Sequence, residues 1–476
     1  MIAIDKSPLQ GSNETTGVTR EARLYAVREL LLRAGVPVEE LLTWKITVGP
    51  QWTEIRVASD PPKHLRFRAD SFRNWDEVLG AQFSVVRASW MHPPDPHVGD
   101  LVPDFIIPFT RLSFGDRRPL FHQVASDCVE CGVDLPLTAL LTLSRFEELG
   151  AGQRDDHGRF VSSSSVAGRH GYLGRPIVDE YGLAVEQALN QLLPNRPPAQ
   201  RKLRVKLSHD VDRVGIPCSL RATVGHTLKR RTPSATFRDF VASFTGEDPI
   251  YLALVSRIAG ASLERDLDSA FYWKSSLPGP YDSGYDPRHP KIRRVIDWLS
   301  ERGIENGIHP GYETFGNLPR LSSEVRRLRE VVNNDKIGGR QHFLRWRPES
   351  WTEWEACGLA YDSTVGFADE IGFRAGTCIP YRPWIFSLNR QADLLEIPLI
   401  VMDCTPVVYM RLSLAEGLAA VLRCVERCRL VGGVFTLLWH NTTLLEPAYG
   451  NLYDLLLDHL AGADRFNWKA VLEGTR

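Results

Sequence analysis

From Arg201 to the C-terminus, short runs rich in β-branched, aromatic and aliphatic residues alternate with longer stretches of helical spacing. Residues 203–207, 270–273, 305–308, 395–401 and 434–438 read as strands, and 292–302, 324–333, 351–357 and 414–428 read as helices between them. A parallel strand pair needs a crossover, and a helix after each strand is that crossover, so the alternation predicts a parallel sheet. Gly303 and Gly358 stand where two of the helices should stop, and Gly338-Gly339 precedes a further strand. Residues 213–265 fit the pattern poorly, being partly basic and interrupted by Gly225, Pro233 and Pro249. They read as an insertion between the first two strands, partly helical and near the site mouth.

Residues that do chemistry follow several of these strands. The first leads into Leu207-Ser208-His209-Asp210-Val211-Asp212, the third into His309-Pro310-Gly311-Tyr312-Glu313, the next into Arg340-Gln341-His342, and the last into Trp439-His440-Asn441. Strand alternation turns the Asp210 and Asp212 carboxylates to one face. Unrelieved, their repulsion would raise one pKa, so a cation or a basic partner is required beside them. Oxygen and nitrogen ligands together with an acid/base pair are the parts of a metal-dependent hydrolase.

These motifs resemble the polysaccharide deacetylases with a NodB-homology domain, metal-dependent enzymes that remove N- or O-acetyl groups from glycans. The resemblance is to a divergent branch in which HDVD replaces TFDDG and HP-x-Y replaces the two-histidine signature. The strings RQHFLRW, YDST, GFRAGTC and EIPL between Gly338 and Asp403 belong to the same likeness. It covers residues 201–476 and implies a distorted (β/α) barrel, with site residues at the C-terminal strand ends. Residues 1–200 form the other expected unit, a smaller mixed α+β N-terminal domain. Helices are expected there at 20–34, 135–149 and 180–193, with strands within 45–59 and 64–72. Its Ser144-Arg145-Phe146-Glu147-Glu148, Arg154-to-Arg159 and Arg175-to-Tyr181 strings resemble the N-terminal domain attached to this branch, and Asn195-Arg196-Pro197-Pro198-Ala199-Gln200 reads as the linker.

The resemblance also implies roles. Asp210 is the expected general base and Asp212 a metal ligand, although the intervening Val211 leaves their assignment open. His309 matches the first metal-binding histidine. Glu313 stands where the second belongs, so the third ligand is His342 or Glu313. Arg340 would hold the catalytic aspartate, with Arg345 and Arg374 as rivals. Tyr312 would offer its backbone N–H to an oxyanion, and His440 would be the acid, with Asp403 a candidate partner. Trp439, Trp273, Tyr285, Trp346, Phe367 and Trp384 are candidate faces for a sugar ring. One divalent metal ion, zinc the expected one, is implied. Two other classes remain open: a metal-independent amidohydrolase cleaving a non-peptide C–N bond, and a non-catalytic carbohydrate-binding relative.

Composition narrows the partners. A net charge of −1 gives no electrostatic case for nucleic acid or anionic membrane. The first residues lack the basic and apolar regions of a secretion signal, and no run approaches the length of a membrane helix. The expected location is cytoplasmic, which favours a glycan precursor or a lipid- or nucleotide-linked sugar as substrate. The 8 cysteines form no paired zinc-ribbon spacing and are expected as free thiols.

Overall fold

In the computed structural model of the chain, residues 19–473 are described, apart from 71, 73, 74, 112–117, 151, 216–248, 333 and 335. Most of the expected insertion at 213–265 thus lies outside the described residues. The first helix, α1 (Arg20–Arg33), starts where the Thr19 side chain accepts the Ala22 N–H. Strands β1 (Lys45–Val48), β2 (Trp52–Val57) and β3 (Lys63–Arg68) follow, then β4 (Ser84–Ala88), β5 (Phe105–Thr110), β6 (Phe121–Ala125) and β7 (Cys128–Cys131). They form a sheet ordered β1-β2-β3-β7-β6 and a separate β4–β5 pair. In β2 the alternation of Thr53, Ile55 and Val57 puts one face of the strand into the core.

Two further helices pack in this half, α2 (Leu135–Leu143), buried along its whole length, and α3 (Ile177–Leu192). The helix expected to reach residue 149 stops short because Arg145 turns left-handed, at φ 53°. That turn aims its guanidinium back at Glu148, with Nε 2.8 Å from Oε1. A polar contact thus overrides the helical spacing.

The rest of the chain alternates as expected. The elements are β8 (Arg204–Val211), α4 (Ile250–Glu264), β9 (Ser269–Trp273), α5 (Pro290–Glu301), β10 (Glu305–Ile308), α6 (Leu318–Arg329), α7 (Ser350–Ala356) and β11 (Tyr361–Asp362). After them come β12 (Leu395–Glu396), β13 (Val401–Met402), α8 (Leu414–Val431), β14 (Val434–Leu438) and α9 (Pro447–Leu460). Strands pair in parallel in the order β10-β9-β8-β14-β13, giving a mixed α/β protein. The pairing continues beyond β10: Gly339 bridges Ile308 on one side and Asp362 on the other, and β11 pairs with β12. The segment from β12 to β13 therefore joins β11 at its start and β14 at its end.

Gly338 and Gly339 are required by this approach. A Cβ on Gly338 would strike the Tyr361 ring, and one on Gly339 would strike the Ile308 carbonyl. The strand expected after the glycine pair is reduced to these bridges. The helix expected at 324–333 lies earlier, at Leu318–Arg329, where Leu321, Val325 and Leu328 form the buried stripe and Asn317 caps its start.

The two halves meet at a seam of buried charge. Asp179 on α3 accepts from Arg33 Nε at 2.8 Å, from Thr377 Oγ1 at 2.6 Å and from the Cys378 N–H at 2.7 Å. Glu148 accepts from Arg145 and is clamped by Arg374, whose Nε and Nη2 lie 2.9 and 2.5 Å from its oxygens. The Phe373 N–H donates to Leu173 O at 2.8 Å and the Val178 N–H to Gly376 O at 2.9 Å. The GFRAGTC string is thus the strip grasped by the N-terminal half.

A second buried pair predicts a pH effect. Burial raises the Asp362 carboxyl to about 7, against hydrogen bonds from Thr364, and raises Glu396 well above its ordinary value, with Asp362 adding to the effect. As pH rises from about 4 to about 7 the unfolded chain releases this proton first, so this group's contribution to stability falls over that window and then levels. An Asp362→Asn variant should lose less melting temperature than wild type between those two pH values. Parallel melting-temperature curves for the two proteins would refute the effect.

Candidate active site

The register of the sheet sets the site. Val211 and Ile308 both pair with Trp273, so Asp212, Lys274 and His309 leave the sheet side by side. Gly339 pairs with both Ile308 and Asp362, so Arg340 and Ser363 extend the row. His440 follows β14 by two residues and comes from the other side of β8. These are C-terminal strand ends, where side chains are free to point off the sheet. A cleft of about 170 Å³ opens there, lined by Asp210, Asp212, His309, His342 and His440 among others.

Asp210 is buried and held by Arg340, whose Nη1 lies 3.0 Å from Oδ1. The same guanidinium donates to the Ser363 carbonyl at 2.8 Å and to the Ser208 hydroxyl at 2.9 Å, which fixes its plane. Of the three arginines considered for this position, Arg340 is the one at Asp210. Arg374 sits in the seam on Glu148, against the Trp346 and Phe367 rings. Arg345 donates to His157 O at 2.9 Å and Tyr312 O at 2.6 Å, with its guanidinium 3.9 Å from the Tyr312 ring centroid.

Asp212, His309 and His342 place one ligand atom each within 4.8 Å of one another. His309 uses Nδ1 on the Arg340 carbonyl at 2.7 Å, which turns Nε2 toward Asp212 Oδ1 at 3.4 Å. Burial lowers the His309 pKa against the pull of Asp210, which favours the neutral, ligating imidazole. His309 Nε2 is buried without a hydrogen-bond partner, while Asp212 Oδ1 has the Lys274 ammonium at 3.2 Å and His342 Nε2 at 3.3 Å. That unpartnered nitrogen, in an oxygen–nitrogen–nitrogen set, fits a divalent cation of the zinc type. Glu313 stands apart, mostly exposed and 4.0 Å from Arg320.

Lys274 was not foreseen. Its ammonium lies 2.8 Å from Asp282, 3.0 Å from His342 and 3.2 Å from Asp212. Asp282 also accepts the Tyr312 N–H at 2.8 Å, which commits the hydrogen expected to serve an oxyanion. Burial opposes ionisation of Asp282, but His342 and Lys274 hold its pKa well below the usual range. For Lys274 the signal was available, since it directly follows a strand just as Asp212 and His309 do.

His440 Nδ1 lies 2.9 Å from Asp403 Oδ1, and Asp403 Oδ2 accepts the His440 N–H at 2.9 Å. Burial disfavours the imidazolium, but Asp403 outweighs it and pushes the pKa up to about 10. The Asp403 carboxylate thus favours the charged, donating imidazolium. His209 faces away from the cleft, with Nδ1 2.9 Å from Trp439 O, and burial lowers its pKa to about 4.

All the aromatic candidates for a sugar face, Trp273, Tyr285, Trp346, Phe367, Trp384 and Trp439, are buried. Trp439 packs against Tyr453, with ring centroids 4.9 Å apart. Exposed aromatic surface comes instead from Tyr409, 42% exposed and lining the cleft, and from Tyr281, 47% exposed and stacked on Tyr312 with centroids 4.2 Å apart. Loop residues are harder to read as exposed than strand residues are to read as buried, and Tyr281 carried no pattern.

A family described as "Family of unknown function (DUF7033)" matches residues 66–194. No curated protein matches the sequence. Among solved structures, a protein assigned as a polysaccharide deacetylase from Mycobacterium smegmatis is 15% identical, with a TM-score of 0.41, over 59% of this chain and 92% of its own. One from Bordetella bronchiseptica, assigned as a polysaccharide deacetylase involved in O-antigen biosynthesis, is 13% identical, with a TM-score of 0.25, over 60% and 95%. A mutant of a CE4 family pseudoenzyme with restored enzymatic activity is 12% identical, with a TM-score of 0.28, over 56% and 70%. Function is therefore read from this chain's own residues. Among the described residues, no helix is long and apolar enough to cross a membrane.

Proposed function

We propose that this chain is a metal-dependent hydrolase that removes an acetyl group from the nitrogen or oxygen of a carbohydrate. One observation carries the reading: a cluster fit for a cation lies beside an arginine-held aspartate and an aspartate-held histidine. We further take residues 1–200 and 201–476 as two units. The closing of β11, the 395–402 segment and β14 on one another supports a distorted (β/α) barrel for the second.

Asp212, His309 and His342 would hold the ion. Bound there, a divalent metal supplies polarisation of the acetyl carbonyl and acidification of water. Asp210 takes the proton from the attacking water, and Arg340 keeps that carboxylate ionised and aimed. Water oxygen bonds to the acetyl carbon, the C–N or C–O bond breaks, and His440 protonates the departing amine or alkoxide. Asp403 keeps His440 charged until that moment. The cleft is below the roughly 300 Å³ at which pockets for whole small molecules begin. It suits an acetyl group and the near edge of its sugar, with the remaining substrate on the rim.

Lys274 favours a second reading. An ammonium 3.2 Å from Asp212 supplies a cation without any metal, as a metal-independent amidohydrolase would require. Acetate release from acetylated oligosaccharides separates the two. The metal-dependent reading expects release that stops with chelator and returns with zinc. Release indifferent to chelation, with the protein shown metal-free, would favour Lys274.

A further inference from the structure

The loop of residues 153–165 belongs to the N-terminal half, yet Arg159 forms part of the cleft wall beside Asp212 and His440. Its position is fixed from two directions. Nε donates to Asp155 Oδ2 at 2.6 Å, and Nη1 donates to the Phe343 carbonyl at 3.2 Å on the opposite half. Asp155 is itself held by the backbone N–H groups of His157 and Arg159, at 3.0 and 2.9 Å. The loop is tied down on both sides of Arg159. His157 Nδ1 meets the Tyr312 hydroxyl at 3.2 Å, and the Ser162 hydroxyl donates to Asp369 at 2.8 Å.

A guanidinium has five N–H donors in a planar fork, and these contacts use only the Nε and Nη1 side. The other cationic groups of the cleft are committed: Arg340 to Asp210, Lys274 to Asp212 and Asp282, and His440 to Asp403. A loop staple would meet its structural need at Asp155 and Phe343 without facing the reacting groups. Because the fork is already immobilised, an incoming anion would pay little ordering cost there.

We propose that Arg159 binds an anionic oxygen group, carboxylate or phosphate, on the part of the substrate adjoining the acetylated sugar. This rests on the hydrolase reading and names its substrate class: acetylated sugars that carry a negative charge. Arg159 thereby makes the N-terminal half part of the substrate site.

The test is binding by calorimetry to the full chain in an Asp210→Asn background, which suppresses turnover. The probes are neutral chitotriose, a hyaluronan tetrasaccharide bearing carboxylates, and UDP-N-acetylglucosamine bearing a diphosphate. One anionic probe should bind at least tenfold more tightly than chitotriose, and which one does so distinguishes a uronate from a diphosphate-linked sugar. Arg159→Gln should erase that preference, with chitotriose affinity changed less than threefold, and Arg159→Lys should restore part of it. Equal binding of all three probes, no binding of any, or a preference that survives Arg159→Gln would overturn the proposal. Should Arg159→Gln not fold, the probe ranking and the Arg159→Lys variant still decide it. Acetate release from the same probes by wild type reports separately on the hydrolase reading.

Discussion

Replacing Asp210 by Asn is expected to lower kcat for acetate release by about 10²–10⁴-fold, the range that a positioned general base contributes. KM should change only a few-fold, because the substitution removes a proton acceptor while keeping the shape of the side chain. Asn is the informative replacement, since its amide oxygen can still receive the Arg340 Nη1–H that now lies 3.0 Å from Asp210. Alanine would leave a fully buried guanidinium short of a partner and confuse stability with catalysis. The measurement is steady-state kinetics on an acetylated oligosaccharide, beside a melting curve. Activity within tenfold of wild type in a folded Asn variant would remove Asp210 from the base role.

The second large effect is on stability. Glu148 has no exposed side-chain surface and sits between Arg145 and Arg374, themselves 2% and 1% exposed. Burial would raise its pKa, but the two guanidiniums overcome this and lower it. Glu148→Ala leaves the Arg374 guanidinium without its carboxylate and Arg145 with Glu147 alone, and breaking a buried pair in this way costs about 3–5 kcal/mol. That is a sizeable part of the roughly 5–15 kcal/mol that holds a domain folded. Urea unfolding followed by tryptophan fluorescence should show an earlier midpoint. Glu148→Gln, which keeps an acceptor but not the charge, should fall between. A loss below about 1 kcal/mol would mean that the arginines find solvent and that the seam is weaker than its geometry implies.

How much of this was legible depended on where each residue's partners lie in the chain. Strand β14 was readable at 434–438 because four apolar residues and a threonine, itself of high strand preference, are bounded by Gly433 and by Trp439-His440. Asp210, Asp212, His309 and His440 were singled out by local context, since each stands at or just after a stretch that reads as a strand. The structure brings these four together with His342 and Arg340. Arg374 was not legible, because what decides its place, Glu148, is more than two hundred residues earlier in the chain. The late start assigned to α6 has a local cause. Pro319 lies in the first turn, where its missing N–H costs nothing, so it opens the helix rather than ending it. Arg159 lay in a polar turn whose charges look like surface pairs, and the sequence does not show that the turn folds over the cleft.

Metal content of the purified protein, by elemental analysis of wild type beside His309→Ala and His342→Ala, tests the central claim most directly. The account predicts close to one divalent ion per wild-type chain after zinc reconstitution and loss of that ion in both variants. Wild type that takes up no metal, or variants that keep it, would contradict a site built from Asp212, His309 and His342 and leave the Lys274 ammonium as the cation of this cleft.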